Sequence, residues 1–240
     1  MSDHHDSSEQ SGAAQDASSK VKIYTVWGTI IIMVLGLVVW YNYVVAGSLE
    51  NRAERLPLIH RLETNLVLTE RSGETVELAQ LRGKVLVAAY VFTRCPRGCA
   101  GVVEEMRFLL DDFADHDKLH LLSFTVDPAH DDPDQLTEFA TRTGVNDIDN
   151  WWFLTGDEEA LHRYMTSQFK FREVMDMPED QRMTEDDLFI HDLRLALVDH
   201  KGHVRGHYDV MSVDPEYAKL SRDTLRRDLG QLLDEAEADG

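Results

Sequence analysis

The feature that most constrains the fold is an uninterrupted apolar run at residues 85–92, which ends shortly before Cys95. A strand that is apolar at every position is typical of the centre of a parallel sheet that is covered on both faces. Beyond Cys99, apolar residues recur at helical spacing, namely Val102, Val103, Met106, Leu109, Leu110 and Phe113. The pattern predicts a buried strand, a short turn that carries Cys95, and an amphipathic helix whose first turn contains Cys99.

The same alternation of strand and helix patterns continues downstream. Residues 119–126 predict a second buried strand, and Asp132 with Pro133 then begins a helix, because Asp favours the cap and Pro the first helical position. Residues 151–154 predict a third strand, and another helix begins after Asp157. Strands that alternate with helices pair in parallel through right-handed crossovers, so the sequence predicts an α/β domain.

Shorter elements flank this alternation. In chain order they are strands at 65–68 and 75–78, an acidic loop at 171–187, a hairpin of strands at 193–199 and 203–208, and a last amphipathic helix that begins at Asp214 and Pro215. Three carboxylates, Asp127, Asp131 and Asp132, precede the second helix of the alternation. We expect them to cap that helix and to complement its positive end.

The N-terminal part of the chain differs from the rest in composition. Residues 1–22 are rich in Ser, Asp and His without apolar periodicity, which is typical of a disordered tail. Residues 23–46 are uncharged, long enough to span a bilayer and aromatic near both ends, whereas the flanking charges do not fix an orientation. The predicted parts are a tail at 1–22, a transmembrane anchor at 23–46, a linker at 47–61 and an α/β domain at 62–240.

Charge and cysteine content narrow the classes of function. The formal net charge of -20 argues against nucleic acid as a partner, because phosphate binding needs a clustered basic surface. Two cysteines in 240 residues are too few for a disulfide scaffold. Their closeness favours redox or metal chemistry.

Cys95 and Cys99 lie four positions apart, where the predicted strand gives way to the helix. Unpaired N–H groups and the positive end of the helix dipole at this place are expected to favour thiolates, which attack disulfides and bind soft metals. Zinc would need four ligands, and an iron–sulfur cluster would need more cysteines. Cu(I) is satisfied by two thiolates and one additional ligand such as His.

Eleven histidines compete for that third position. His191 stands out because it follows the acidic loop and precedes a strand, and ligands gather at loops beside the first strand-to-helix turn. His203 and His207 share one face of the predicted hairpin and are candidates for a separate, adventitious metal pair. His120 lies inside an apolar strand, which predicts a buried histidine with its hydrogen bonds satisfied.

Four groups of residues resemble the Sco/SenC family. They are Phe92-Thr93-Arg94-Cys95-Pro96-Arg97-Gly98-Cys99, Phe124-Thr125-Val126-Asp127-Pro128, Trp152-Phe153-Leu154-Thr155-Gly156 and Ile190-His191-Asp192. Members of that family are membrane-anchored, thioredoxin-like copper chaperones that assemble the binuclear copper site of cytochrome c oxidase. The resemblance implies a thioredoxin-like domain in which Cys95 and Cys99 form a redox dithiol and, with His191, bind copper as Cu(I).

The resemblance also implies a topology and partners. The N-terminus would be cytoplasmic, and the domain would lie on the periplasmic or equivalent extracytoplasmic side. The expected partners are the copper-bearing subunit of cytochrome c oxidase, an upstream copper donor or thiol reductant, and the membrane through residues 23–46. The protein would be primarily a metallochaperone, with thiol–disulfide exchange as a second activity because copper enters the target site only when its cysteines are reduced.

The chain departs from the family pattern at the site. Family members usually carry an acidic residue between the cysteines and Pro after the second, where this chain has Arg97 and Ala100. The missing carboxylate removes an oxygen donor for Cu(II). We expect Arg94 and Arg97 to lower the pKa of the thiols and to favour redox work.

Two other classes of protein stay open from the sequence. One is a membrane-tethered thiol–disulfide oxidoreductase without a copper role, and the other is a peroxiredoxin-like peroxidase in which Arg94 or Arg194 supports one cysteine. Met175, Met177 and Met183 in the acidic loop either relay Cu(I) or pack the loop.

Overall fold

The computed structural model describes residues 27–43, 56–96 and 98–239. These residues fall into two compact units, which divide between Arg55 and Leu56. In the first unit, residues 27–43 form helix α1, and its apolar side chains, such as Ile32 and Val39, are exposed. No helix among the described residues has the length and hydropathy required to cross a membrane. The predicted tail at 1–22 lies outside the described residues.

The second unit contains ten strands and four further helices within its described residues. The strands are β1 His60–Arg61, β2 Val67–Glu70, β3 Thr75–Glu77, β4 Val85–Val91, β5 Leu119–Thr125, β6 Trp151–Thr155, β7 Met175–Asp176, β8 Phe189–Ile190, β9 Leu195–Val198 and β10 His203–Tyr208. The helices are α2 Cys99–Asp112, α3 Pro133–Arg142, α4 Glu158–Ser167 and α5 Pro215–Ala238. Two short 3-10 turns, Leu78–Leu81 and Glu179–Gln181, complete the unit.

One mixed sheet of eight strands, in the order β1-β10-β9-β4-β5-β6-β2-β3, organises the second unit. The three central strands β4, β5 and β6 are parallel, which confirms the predicted α/β class. The predicted hairpin of β9 and β10 is antiparallel and extends the sheet beside β4, while β2 and β3 extend it beside β6. Strand β9 therefore lies directly next to β4, the strand that leads into the cysteine loop.

The central strands form the core because apolar side chains occupy both of their faces. All seven residues of β4 and of β5 are buried, as expected for strands covered on both sides. The helices begin where predicted: Asp132 accepts a hydrogen bond from the N–H of Gln135, and Asp214 accepts one from the N–H of Glu216. These caps fix the starts of α3 and α5.

Three details differ from the sequence expectations. Strand β1 lies within residues 47–61, the predicted linker, and pairs with β10; two residues are too few to produce a periodic pattern. The acidic loop contains strand β7, which pairs with β8 just after the loop. His120 is buried as predicted, but its Nε2 has no hydrogen-bond partner among the described residues. Its ring packs edge-on against Trp152, with the ring centroids 4.8 Å apart.

Candidate metal centre

A buried carboxylate fixes the cysteine loop, residues 92–98, which carries Cys95 and leads to Cys99 at the start of α2. Asp131 is fully buried and accepts hydrogen bonds from the backbone N–H of Thr93 at 3.2 Å and from the Thr125 hydroxyl at 2.6 Å. It also accepts one from the Thr93 hydroxyl. The sequence expectation that Asp131 caps α3 is therefore wrong, because Asp132 is the cap and Asp131 points instead at the loop after β4.

Arg94 joins the cysteine loop to two other segments. Its Nη2 lies 2.7 Å from Oδ2 of Asp127, which follows β5, and its Nη1 lies 3.1 Å from Oδ1 of Asp186, which precedes β8. Asp127 is buried and pairs with Arg94, so it does not cap α3 as predicted. The guanidinium therefore holds the acidic loop against the cysteine loop.

Three side chains predicted as ligands converge at this end of the sheet. The two sulfurs of Cys95 and Cys99 and a ring nitrogen of His191 all lie within 4.8 Å of one another. The Cys99 Sγ to His191 Nε2 distance is 3.7 Å, and no disulfide joins the cysteines. Across the described part of the chain, no other group of three His, Cys, Asp or Glu residues comes together in this way.

The spacing of the donor atoms suits one small soft ion. With the bond lengths of zinc-bound Cys and His, about 2.3 and 2.05 Å, a trigonal centre places sulfur and nitrogen about 3.8 Å apart. The observed 3.7 Å between Cys99 Sγ and His191 Nε2 is close to this value. Cys99 and His191 therefore need little rearrangement to bind one metal ion.

The hydrogen bonding of His191 leaves Nε2, the ring nitrogen nearer Cys99, available to bind a metal. Its Nδ1 lies 3.1 Å from the carbonyl oxygen of Asp192, and because a carbonyl only accepts, Nδ1 must carry the hydrogen in this contact. The lone pair is then on Nε2, which faces Cys99. Metal-binding histidines typically donate such a hydrogen bond from the ring nitrogen that does not bind the metal.

Asp192 anchors the segment immediately after His191. It accepts hydrogen bonds from Arg194 Nε at 2.9 Å and from the backbone N–H of Arg172 at 3.1 Å. Burial raises the pKa of Asp192, but these hydrogen bonds outweigh burial and hold its pKa below the ordinary value. The carboxylate therefore stays ionised, and Arg194 is bound to it.

The expectation that the thiols are activated is wrong for Cys99. Hydrogen bonding with Cys95 and burial raise the pKa of the Cys99 thiol well above its ordinary value. Arg94 does not offset this shift, since its guanidinium pairs with Asp127 and Asp186. Arg97 lies outside the described residues. Cys95 is partly exposed, whereas Cys99 is buried, so the two thiols are not equivalent.

Tyr90, near the end of β4, lies beneath the site and was not singled out by the sequence. Its ring centroid is 6.2 Å from that of His191, and its buried hydroxyl has no hydrogen-bond partner within the described part of the chain. Burial and the nearby Asp192 charge raise the pKa of this hydroxyl, so it stays neutral. Because Tyr90 lies inside an apolar run, the sequence did not predict that it would lie beside the ligands.

The other candidate residues are dispersed. His203 Nδ1 contacts Asp199 at 3.1 Å, and His207 Nε2 lies 2.7 Å from the carbonyl oxygen of Phe169, so the hairpin histidines do not form a metal pair. Of the loop methionines, Met177 is buried. The remaining two, Met175 and Met183, are 54% and 65% exposed and therefore do not pack the loop.

Comparison with known proteins identifies relatives of this chain. A family model described as SCO1/SenC matches residues 59–225. The SCO1 protein homolog of Bacillus subtilis (strain 168) is 30% identical over 161 residues, which cover 66% of this chain and 79% of the relative. The residues that the family model matches include both cysteines and His191.

Solved structures share the fold. A SCO1/SenC family lipoprotein from Bacillus anthracis str. Ames is 26% identical, with a TM-score of 0.60, over 73% of this chain and 96% of the other. BsSco, described as a member of the Sco family of cytochrome c oxidase assembly proteins with a disulfide switch, is 25% identical, with a TM-score of 0.60, over 75% and 98%. These likenesses confirm the thioredoxin-like α/β fold, and the chain belongs to the SCO1/SenC family.

Proposed function

We propose that this protein is a membrane-anchored copper chaperone that binds one Cu(I) through Cys95, Cys99 and His191. It delivers the ion to the binuclear copper site of cytochrome c oxidase. The observation that carries the proposal is the convergence of two sulfurs and one imidazole nitrogen within 4.8 Å. Assembly of cytochrome c oxidase is the role given for the Sco family, of which BsSco is a member, and it comes to this chain through the family membership.

The donor set favours Cu(I) over other ions. Thiolate and imidazole are soft or borderline ligands, and Cu(I) accepts three of them, whereas structural zinc requires four. Metal binding requires both thiols to lose their protons, so copper itself must offset the raised pKa of Cys99. Cys95 is partly exposed, so a thiolate of the target can reach the ion and displace one ligand at a time.

The anchor is the second part of the proposal. Residues 23–46 would span the membrane with the N-terminus in the cytoplasm, and the domain would face the periplasmic or equivalent side. The support is the uncharged sequence together with the exposed apolar side chains of α1. Extraction of membranes with alkaline carbonate should leave the full chain in the pellet, and protease added outside spheroplasts should digest its domain. Release by carbonate, or protection from protease, contradicts the anchor or its orientation.

The copper test uses the reduced full chain in non-ionic detergent and competition with a chromogenic Cu(I) chelator. We expect one Cu(I) per chain, loss of tight binding in Cys95→Ser and Cys99→Ser, and at least about tenfold weaker binding in His191→Ala. The matched control is His116→Ala, because His116 Nδ1 contacts Glu237 at 2.7 Å, away from the site. Equal affinities of His191→Ala and the control would remove His191 from the ligand set.

A thiol–disulfide exchange activity is a second candidate, favoured by the nearness of the two sulfurs and the partial exposure of Cys95. Attack by the Cys95 thiolate on a target disulfide would form a mixed disulfide and release one target thiolate. Attack by Cys99 would then release the second target thiolate and leave a Cys95–Cys99 disulfide. A protein that cycles through this disulfide but holds no Cu(I) would be an oxidoreductase without a copper role.

A further inference from the structure

A cavity of about 260 Å³ lies at the end of the sheet opposite the cysteines. Three segments surround it: residues 61–65 after β1, residues 78–84 before β4, and residues 199–202 between β9 and β10. The seven residues of β4 separate the cavity from the cysteine loop by about 20 Å. The cavity is therefore distinct from the proposed copper site.

Hydrogen bonds between these segments give the cavity a fixed shape. The N–H of Leu62 donates to the carbonyl of Gly202 at 2.8 Å, and the N–H of Gly83 donates to the carbonyl of His200 at 3.1 Å. The Tyr164 hydroxyl donates to the carbonyl of Thr64 at 2.8 Å. A cavity held in this way loses little entropy when it is filled.

The cavity combines an apolar floor with a basic rim. Leu78, Leu81 and Leu86 contribute apolar surface, each with only a small exposed fraction. The basic residues that line it are Arg61, Arg82, Lys84 and Lys201. A concave surface that joins apolar side chains to a few convergent charges is typical of ligand sites.

The charges on the rim are only partly neutralised. Among the described carboxylates, none forms an ion pair with Arg61 or Arg82, whereas Lys201 Nζ lies 2.7 Å from Asp239. Two carboxylates also line the cavity: Glu63, which is exposed, and Asp199, which is buried and bound by Arg205 at 2.8 Å. In a chain with a net charge of -20, this is a local concentration of positive charge.

We propose that this cavity binds an amphiphilic anion, with a phosphate group at Arg61 and Arg82 and a short apolar stem on the leucine floor. Guanidinium groups suit phosphate because their planar N–H forks match two oxygens at once. The phosphate could belong to a membrane phospholipid or to a soluble phosphate ester, which share this chemistry.

The test is calorimetric titration of the full chain, in non-ionic detergent micelles, with monohexyl phosphate and separately with inorganic phosphate. We expect one site for hexyl phosphate and at least about tenfold weaker binding of inorganic phosphate, because two buried methylene groups alone contribute that factor. The double variant Arg61→Gln/Arg82→Gln should bind hexyl phosphate at least about tenfold more weakly than the wild type.

The matched control is Arg107→Gln/Arg163→Gln, which removes the same charge from arginines paired with Asp111 and Glu159 on helix surfaces. It should change the affinity less than about twofold. Equal losses in the two double variants, equal affinities for hexyl and inorganic phosphate, or no binding of hexyl phosphate would overturn the proposal.

Two further measurements are needed. One distinguishes a lipid ligand from a soluble phosphate ester, and the other distinguishes the anion site from the copper site. Phosphatidic acid in the micelles should weaken hexyl phosphate binding, relative to phosphatidylcholine, if the natural ligand is a lipid, and should leave it unchanged if the ligand is a soluble ester. This lipid arm rests on the proposed membrane anchor. Cu(I) stoichiometry of Arg61→Gln/Arg82→Gln should equal that of the wild type, so failure of copper binding and failure of anion binding are distinguishable.

Discussion

Arg94 Nη1 lies 3.1 Å from Asp186 Oδ1, across the gap between the cysteine loop and the acidic loop that leads to His191. The same guanidinium lies 2.7 Å from Asp127, whose side chain is 8% exposed, whereas that of Asp186 is 55% exposed. Arg94 therefore makes one sheltered and one open ion pair. The two pairs are expected to contribute unequally to stability, because water screens only the open one.

We predict that Arg94→Gln lowers the free energy of unfolding by about 2 kcal/mol, since it leaves Asp127 buried without its cation. Asp186→Asn should change it by less than about 0.5 kcal/mol. Denaturant unfolding of both variants measures these effects, with Arg107→Gln as the control for loss of a surface arginine. A larger effect of Asp186→Asn than of Arg94→Gln contradicts the ranking.

Arg94 should also position His191. We predict that Arg94→Gln weakens Cu(I) binding about tenfold in the wild-type background and leaves it unchanged in a His191→Ala background. Chelator competition on the wild type, the two single variants and the double variant measures the coupling between Arg94 and His191 in Cu(I) binding. Equal losses in both backgrounds would show that Arg94 acts on the cysteines instead.

Asp131 should be required for the stability of the cysteine loop. Asp131→Asn places an amide donor against the N–H and hydroxyl of Thr93 and the hydroxyl of Thr125. We predict a loss of about 3 kcal/mol in the free energy of unfolding. Asp132→Asn is the matched control, because Asn caps helices as well as Asp and should leave stability within about 0.5 kcal/mol. Similar losses in both variants would show that the helix cap, rather than the loop, dominates.

The two thiols should react at different rates. In the reduced, metal-free protein, we predict that iodoacetamide modifies Cys95 at least about tenfold faster than Cys99, because Cys99 is 1% exposed and its raised pKa keeps it protonated. Mass spectrometry of the alkylated peptides measures both rates, and the rates in denaturant serve as the reference. Equal rates in the native protein contradict the burial of Cys99.

His120 should make the protein sensitive to acid. Burial lowers the pKa of His120 from 6.5 to about 4, so below pH 6.5 the unfolded chain binds a proton that the folded protein excludes. Its contribution to stability therefore falls between pH 6.5 and 4 and is constant outside that window. We predict that His120→Phe, which keeps a ring against Trp152, gains stability relative to the wild type as the pH falls. The free energy of unfolding of the variant minus that of the wild type should be about 2 to 3 kcal/mol larger at pH 4.5 than at pH 7. An equal difference at both pH values, or the same change in a His116→Ala control, contradicts this origin.

Strands that are buried on both faces are the part of the fold that sequence predicts best. Residues 85–92 and 119–126 were predicted as strands, and the structure has Val85–Val91 and Leu119–Thr125. The reason is that burial on both faces leaves an apolar residue at nearly every position, with few alternatives. Strand β1 has only two residues, so its pairing with β10 depends on tertiary contacts that no local pattern records.

The three ligands of the site could be predicted from the sequence, but the residues that position them could not. The two cysteines are close in sequence, and the place of His191 between the acidic loop and a strand singled it out before the resemblance implied it as a ligand. The separate metal pair expected of His203 and His207 does not form, because each of these histidines contacts another group. Asp131 was missed because its partner Thr93 lies 38 positions away, while the neighbouring Asp132 and Pro133 form a strong local capping signal. The raised pKa of Cys99 likewise depends on burial and on contact with Cys95, which charge patterns do not reveal.

His191 follows Cys99 by 92 positions, and it reaches the cysteines because β9, the strand just after it, pairs with β4. During synthesis the ribosome releases the two cysteines long before the histidine. A partly made chain can therefore offer only two of the three donors, and the third arrives when the last strands have joined the sheet. Occupation of all three positions by one ion would thus report that the domain has finished folding.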